Sequence, residues 1–176
     1  MDIFIEYMVK HKFEGKNYAI VSGLVLLALA LTAVILFFRV YLMGLWLLLI
    51  AFVWFGAVVF IRQQILEYEY IITNNEMDID QIMAKNGRKR ILTVDFKQMS
   101  LLAAVDDTDF KAEYDRPGER KIIEAIGDRA KGGLYFLDTV VNIKGTDTAV
   151  RLIFQPNEAI LEAAWKFNPR NAHIKK

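Results

Sequence analysis

Ala19–Phe38 is a run of 20 residues without a formal charge, and Val40–Ile61 is another of 22, with Arg39 alone between them. A helix needs about 20 apolar residues to cross a hydrocarbon core roughly 30 Å thick. Each run reaches that length by itself, so the sequence predicts a two-helix transmembrane hairpin over residues 19–61. A cleaved leader is the competing reading of the first run. That run starts late, exceeds the usual apolar region of about 7–15 residues, and is followed at once by a second, so a retained hairpin is expected.

The flanking charges set the orientation. Lys10, Lys12 and Lys16 precede the hairpin and Arg62 follows it, while the loop offers Arg39 alone. Basic residues favour the cytoplasmic side, which predicts a two-span protein of the cell membrane with both termini in the cytoplasm. Ser22, Gly23, Ala28, Ala30 and Ala33 on the first run, and Gly44, Ala51, Gly56 and Ala57 on the second, are small enough for close helix packing. No ionisable residue lies mid-span, which argues against transport. Trp46 and Trp54 read as packing or lipid-facing residues.

Residues 1–18 are expected to form an amphipathic or interfacial segment. Ile3, Phe4, Tyr7, Met8 and His11 fall at helical spacing, with Asp2, Glu6, Lys10 and Lys12 interspersed. Gly15, Lys16 and Asn17 are expected to end that helix before the first span.

After Arg62 the period changes from helical to alternating. Leu66, Tyr68, Tyr70 and Ile72 share one face of a strand, opposite Glu67 and Glu69. Asn74-Asn75 and Lys85–Arg90 read as turns, and Met77–Ile82 and Leu92–Phe96 as the next two strands of a meander. One helical turn is expected at Lys97–Ser100. Short strands follow at 101–105, 122–126, 134–143 and 149–155, separated by turn residues such as Pro117-Gly118 and Gly132-Gly133. Asn157 is a helix N-cap, and Ile160, Leu161, Ala164, Trp165 and Phe167 form one apolar stripe before Asn168-Pro169 stops the helix. The expected division is 1–18, 19–61, a β domain with C-terminal helix over 62–168, and a frayed basic tail over 169–176. Seven strands and one amphipathic helix imply a partly open barrel or sandwich capped by that helix.

Composition removes several functions. There is no cysteine, hence no disulfide framework, thiol nucleophile or thiolate metal site. Residues 62–176 carry eighteen Lys/Arg against eighteen Asp/Glu, so a polyanion such as nucleic acid is not an expected partner.

Tyr68-Glu-Tyr-Ile-Ile-Thr-Asn74, then Glu76-Met-Asp-Ile-Asp80, the basic turn Lys85–Arg90 and the strand Ile91–Phe96 together resemble a bacterial PH-like domain attached to a membrane hairpin. The closing strand and helix, Val150–Phe167, are similar to the PH-like ending. The layout looks like small membrane protein families of anaerobic Gram-positive bacteria. The resemblance implies a PH-like fold. In eukaryotic phosphoinositide-binding PH domains a basic pocket surrounds the first hairpin. Here the basic residues sit at the second turn, and the first carries Glu76 and Asp78.

Lys85, Arg88, Lys89 and Arg90 are the candidate lipid or partner contact, because clustered cations near a bilayer attract anionic lipid. A solvated hairpin turn is the plainer reading of the same residues. Asp106, Asp107, Asp109, Glu113 and Asp115 lack the spacing of a calcium loop and read as a solvated loop. Glu67 and Glu69 read as a polar outer face. His11 and His173 have no partner pattern, Gly132-Gly133 lacks a phosphate-cradle context, and Tyr68, Tyr70, Phe96, Phe136, Phe154 and Trp165 read as barrel-core or helix-packing residues. No catalytic residue, cofactor-binding residue or metal ligand is expected, so the chain is read as a non-enzyme.

The expected function is a membrane-anchored cytoplasmic binding or scaffolding module, engaging its partner through an exposed sheet edge or the groove beside helix 157–167. The alternative is a peripheral sensor of anionic lipid headgroups through turn 85–90. The expected partners are the lipid bilayer and a membrane or cytosolic protein, with a second copy of the chain a further candidate.

Overall fold

The computed structural model describes residues 3–13, 15–84, 87–143 and 145–175. The chain divides into a β unit, Met1–His11 with Glu67–Ile82 and Gly87–Lys176, and a helical unit, Lys12–Leu66 with Met83–Asn86.

The β unit begins before the apolar runs. Strand β1 (Phe4–Lys10) lies antiparallel to β2 (Leu66–Thr73), pairing Ile5 with Ile72, Tyr7 with Tyr70 and Val9 with Tyr68. This corrects the helical reading of residues 1–18. Ile3, Ile5, Tyr7 and Val9 also alternate with period two, and that alternation prevails because β2 presents Tyr68, Tyr70 and Ile72 directly opposite. The β domain therefore does not start at residue 62. Its first strand precedes the helical pair, and the pair is an insertion between two neighbouring strands.

Strands β3 (Glu76–Met83) and β4 (Gly87–Asp95) complete a four-stranded sheet in the order β1-β2-β3-β4. A 3-10 turn at Phe96–Gln98, capped by Asp95 accepting from the Lys97 N–H, occupies the expected helical turn. Then come β5 (Leu101–Ala104), the short helix α1 (Lys111–Asp115), β6 (Lys121–Ala125), β7 (Tyr135–Ile143), β8 (Thr146–Phe154) and the terminal helix α2 (Glu158–Phe167). Their sheet runs β5-β7-β8-β6, with β6 parallel to β8. The seven strands read from the sequence are β2–β8, and β1 is the eighth. Among the described residues the two sheets stay separate and no barrel closes.

One core fills the space between the sheets. Tyr70, Ile72, Ile79 and Val94 from the first meet Leu137, Leu152 and Phe154 from the second. Burying a side chain of this kind contributes about 1.5–3 kcal/mol. Helix α2 is capped by Asn157, whose Oδ1 accepts from the Ile160 N–H at 3.0 Å, and lays Ile160, Leu161, Ala163 and Ala164 on that core.

The segment after α2 is not a frayed tail. Leu102 of β5 donates its N–H to the Asn171 carbonyl and accepts from the His173 N–H, each at 2.8 Å. The edge of β5 left free by β7 gives these residues a place to pair.

In the helical unit, αA (Gly15–Phe37) and αB (Leu45–Arg62) are joined by turns at 38–44. Gly15, Lys16 and Asn17 open αA and do not end an earlier helix. Gly44 enters αB at φ 94°, a left-handed conformation that favours glycine. Ala28 and Ala57 are the buried residues of the two helices and line a shared crevice with Leu31 and Val53. A Cβ at Gly23 or Gly56 would meet nothing within 4 Å, so neither glycine marks a tight crossing. Ser22 Oγ donates to the Ala19 carbonyl and Thr32 Oγ1 to the Ala28 carbonyl, which satisfies both hydroxyls within the helix. Both helices are long and apolar enough to cross a membrane, and Leu26, Leu47, Phe52 and Phe55 are exposed on their surfaces.

Candidate functional site

The basic turn meets an acidic sheet face. Asp78 and Asp80 lie on the face of β3 opposite Met77 and Ile79, and Glu69 lies on the corresponding face of β2. Arg88 Nε is 2.7 Å from Asp80 Oδ2, and the same guanidinium also pairs with Glu69. Arg90 places Nε 2.9 Å from Asp80 Oδ1 and Nη1 2.7 Å from Asp78 Oδ2. Thr93 Oγ1 donates to Asp78 at 2.6 Å. The Arg90 guanidinium is held in its charged form above its ordinary pKa, chiefly by the hydrogen bond to Asp80. Of the four residues expected to meet lipid, Arg88 and Arg90 are thus tied to three carboxylates while remaining half exposed. Lys89 is exposed, and Lys85 lies outside the described residues. Glu67 and Glu69 stand on the face opposite the core, the polar face expected, but both are buried there.

A second charged group is buried on the outer face of the other sheet. Arg151 of β8 and Asp138 of β7 stand opposite each other in register. Their side chains are 1% and 3% exposed and form a two-pronged pair, Nε to Oδ1 at 2.7 Å and Nη2 to Oδ2 at 2.6 Å. Arg151 Nη1 also donates to the Glu113 and Tyr114 carbonyls at 2.7 and 2.9 Å, and its guanidinium lies 4.7 Å from the Phe136 ring centroid. Arg120 adds a longer contact to Asp138 at 3.4 Å. The stretch 106–120 is therefore a strap latched over this face, where Phe110 and Tyr114 pack against Ala103, Phe136 and Ile153.

A third polar cluster sits where β2, the end of β6 and the end of β8 come together. The Tyr70 hydroxyl donates to the Ala125 carbonyl and accepts from the Gln155 N–H. Gln155 Oε1 accepts from the Asp128 N–H, and Nε2 donates to the Gly132 carbonyl at 2.7 Å. Burial pushes the Tyr70 phenol well above the ordinary tyrosine value. His11 Nδ1 lies 3.0 Å from the Ile126 carbonyl, and its ring meets Tyr68 edge-on.

The remaining candidates scatter. Asp107 turns the loop by accepting from the Asp109 N–H, and Asp106 pairs with Lys175. Among the described residues no group of three His, Cys, Asp or Glu side chains is placed to hold a metal. Tyr68, Tyr70, Phe96, Phe136 and Phe154 are core residues as expected, but Trp165 is 55% exposed. It lies one turn beyond Leu161, which already sits at the margin of the core. The sequence reading missed Asp138, Arg151 and Gln155. The only local signal was a charged residue inside a largely apolar strand for Asp138 and Arg151, and an amide just past a strand end for Gln155.

Comparison with protein families matches the chain over residues 1–174 to the model described as Bacterial PH-like domain (DUF6106). No curated protein and no solved structure gives a match. The family match runs through the helical pair as well as both sheets.

Proposed function

The chain belongs to the bacterial PH-like domain family, and on that premise we propose that it is a membrane-anchored binding or scaffolding module whose β unit works at the cytoplasmic surface without turnover. The observation that carries this reading is the position of the apolar pair between β1 and β2. Strands that pair must lie on one side of a bilayer, so any membrane-crossing segment between them must cross an even number of times. Two apolar helices joined by a short loop meet that requirement. Cleavage at the first helix would also remove β1 and the core residue Val9, which favours a retained hairpin. Lys10, Lys12, Lys16 and Arg62 on the flanks against Arg39 in the loop favour the cytoplasmic side for both ends.

The anchor raises the concentration of the β unit for partners in or near the membrane. Arg88 and Arg90 of the basic turn are engaged with carboxylates of their own sheet. Anionic-lipid sensing through Lys85, Arg88, Lys89 and Arg90 is the alternative. It is disfavoured by the three carboxylates that share the charge of Arg88 and Arg90.

Membrane extraction tests the proposal. The 176-residue chain should stay in the membrane fraction after alkaline carbonate and be released by detergent. Release by carbonate would overturn the anchor. In flotation with the chain in nanodiscs, Lys89→Gln should leave association with anionic vesicles unchanged at near-physiological salt. Strong vesicle binding abolished by that change would instead support the lipid-sensing reading.

A further inference from the structure

The chain carries an added strand of its own. Leu102 of β5 donates to the Asn171 carbonyl and accepts from the His173 N–H, both at 2.8 Å, and the Leu102–Ala172 bridge is parallel. This is the main-chain pattern by which a sheet edge takes up an extended peptide. The side chains show what the edge accepts. Ala172 is 5% exposed, so that position takes a small residue. His173 rests on Phe110 with ring centroids 4.4 Å apart, Ile174 packs on the core, and Lys175 Nζ lies 3.3 Å from Asp106.

Beside this segment a groove of about 650 Å³ stays open between the strap and α2. Asp107, Asp109, Glu162 and the exposed Trp165 line it together with Phe110 and with Ala172, His173 and Ile174 of the segment itself, and its lining includes no lysine or arginine. An indole face flanked by carboxylates is complementary to a lysine or arginine side chain.

We propose that the edge of β5 and this groove form a docking site for an extended basic segment of another polypeptide, in the order small, aromatic, aliphatic, basic. The chain's own residues 171–175 hold the site until such a segment displaces them. The proposal rests on reading the β unit as a binding module and names where it binds and what it takes. Asn168 anchors the end of α2 independently, donating from Nδ2 to the Phe96 and Met99 carbonyls, so the residues beyond it can leave without unwinding the helix. A segment tethered this closely competes at an effective concentration on the order of millimolar. A partner overcomes it through the basic contacts that the groove still offers.

The test uses the 176-residue chain in detergent micelles and a fluorescein-labelled peptide of residues 169–175, read by anisotropy. A variant ending at Asn168 should bind the peptide saturably and at least about tenfold more tightly than the intact chain, whose site is filled. His173→Pro removes the donor to Leu102 but leaves Asn171 Nδ2 donating to the Met99 carbonyl at 2.9 Å, so it opens the site only in part and should fall between the two. Lys175→Glu in the peptide, or added salt, should weaken binding several-fold. Should the truncated variant fail to fold, His173→Pro carries the test alone. The proposal is overturned if neither opened variant binds the peptide, or if a scrambled peptide of the same composition binds as well. Carbonate extraction is read separately, so loss of this site would leave the anchored-module reading standing.

Discussion

Lys10 lies directly opposite Glu67 in the first sheet, although the entire helical pair separates them along the chain. The β unit is therefore closed around its insertion, with one strand made before the helices and its neighbour made after them. The helical pair is therefore joined to this sheet at both of its ends.

The contact of β1 with the rest of the β unit is tight at Gly127. A Cβ there would lie 2.9 Å from the Val9 Cβ and 3.2 Å from the Lys10 carbonyl oxygen. Gly127→Ala should destabilise the β unit by about 1–3 kcal/mol, because β1 or the loop after β6 must shift. Denaturant unfolding of the two proteins in micelles checks this. An unchanged midpoint would mean that β1 does not hold its place against that loop.

Arg151 and Asp138 make the clearest energetic prediction. Arg151→Met leaves Asp138 buried beside Arg120 alone and frees the Glu113 and Tyr114 carbonyls, at a cost of about 3–5 kcal/mol. Adding Asp138→Leu should recover much of that loss, since the unpaired charge is then gone. Limited proteolysis supplies a second readout: the single variant should be cut within 106–120 far faster than the parent.

The strands were legible because one face of each alternates cleanly, as in Tyr68, Tyr70 and Ile72 or Leu92 and Val94. β1 was not, because Ile3, Phe4, Tyr7 and Met8 satisfy a helical template as well as a strand one. The partner that decides between them lies beyond both helices. Arg151 and Asp138 were hidden for a related reason. A charged residue opposite a core face normally points to water, and only the folded strap shows that this face is covered. The basic turn was visible as a cluster, but the carboxylates that engage it come from two other strands.

Thr139 offers a stabilising change. Its hydroxyl is buried without a hydrogen-bond partner on the strand that carries Leu137 and Val141 into the core. Thr139→Val keeps the shape and removes the unsatisfied group, so stability should rise by about 1 kcal/mol. A fall in the unfolding midpoint would show that the hydroxyl is satisfied in solution.

Tyr70 makes the β unit sensitive to alkali. Its folded pKa is raised above the ordinary 10.0, mainly by burial, so the unfolded chain releases this proton first. The corresponding stability is fully present below pH 10 and is lost as the pH rises through the folded value. Tyr70→Phe should be less stable at neutral pH, having lost the bonds to Ala125 and Gln155, but should show a shallower decline above pH 10. Unfolding midpoints between pH 8 and 11 (about the range below general alkaline denaturation) compare the two slopes.

The absence of cysteine makes the central claim directly measurable in cells. Single cysteines at Phe4 in β1, Tyr41 in the interhelical loop and Ile122 in β6 each replace an exposed side chain. Labelling with a membrane-impermeant maleimide should mark Tyr41→Cys in intact cells, and Phe4→Cys and Ile122→Cys only after permeabilisation. Labelling of Phe4→Cys and Ile122→Cys from opposite sides would contradict the account, because β1 and β6 could not then belong to one β unit.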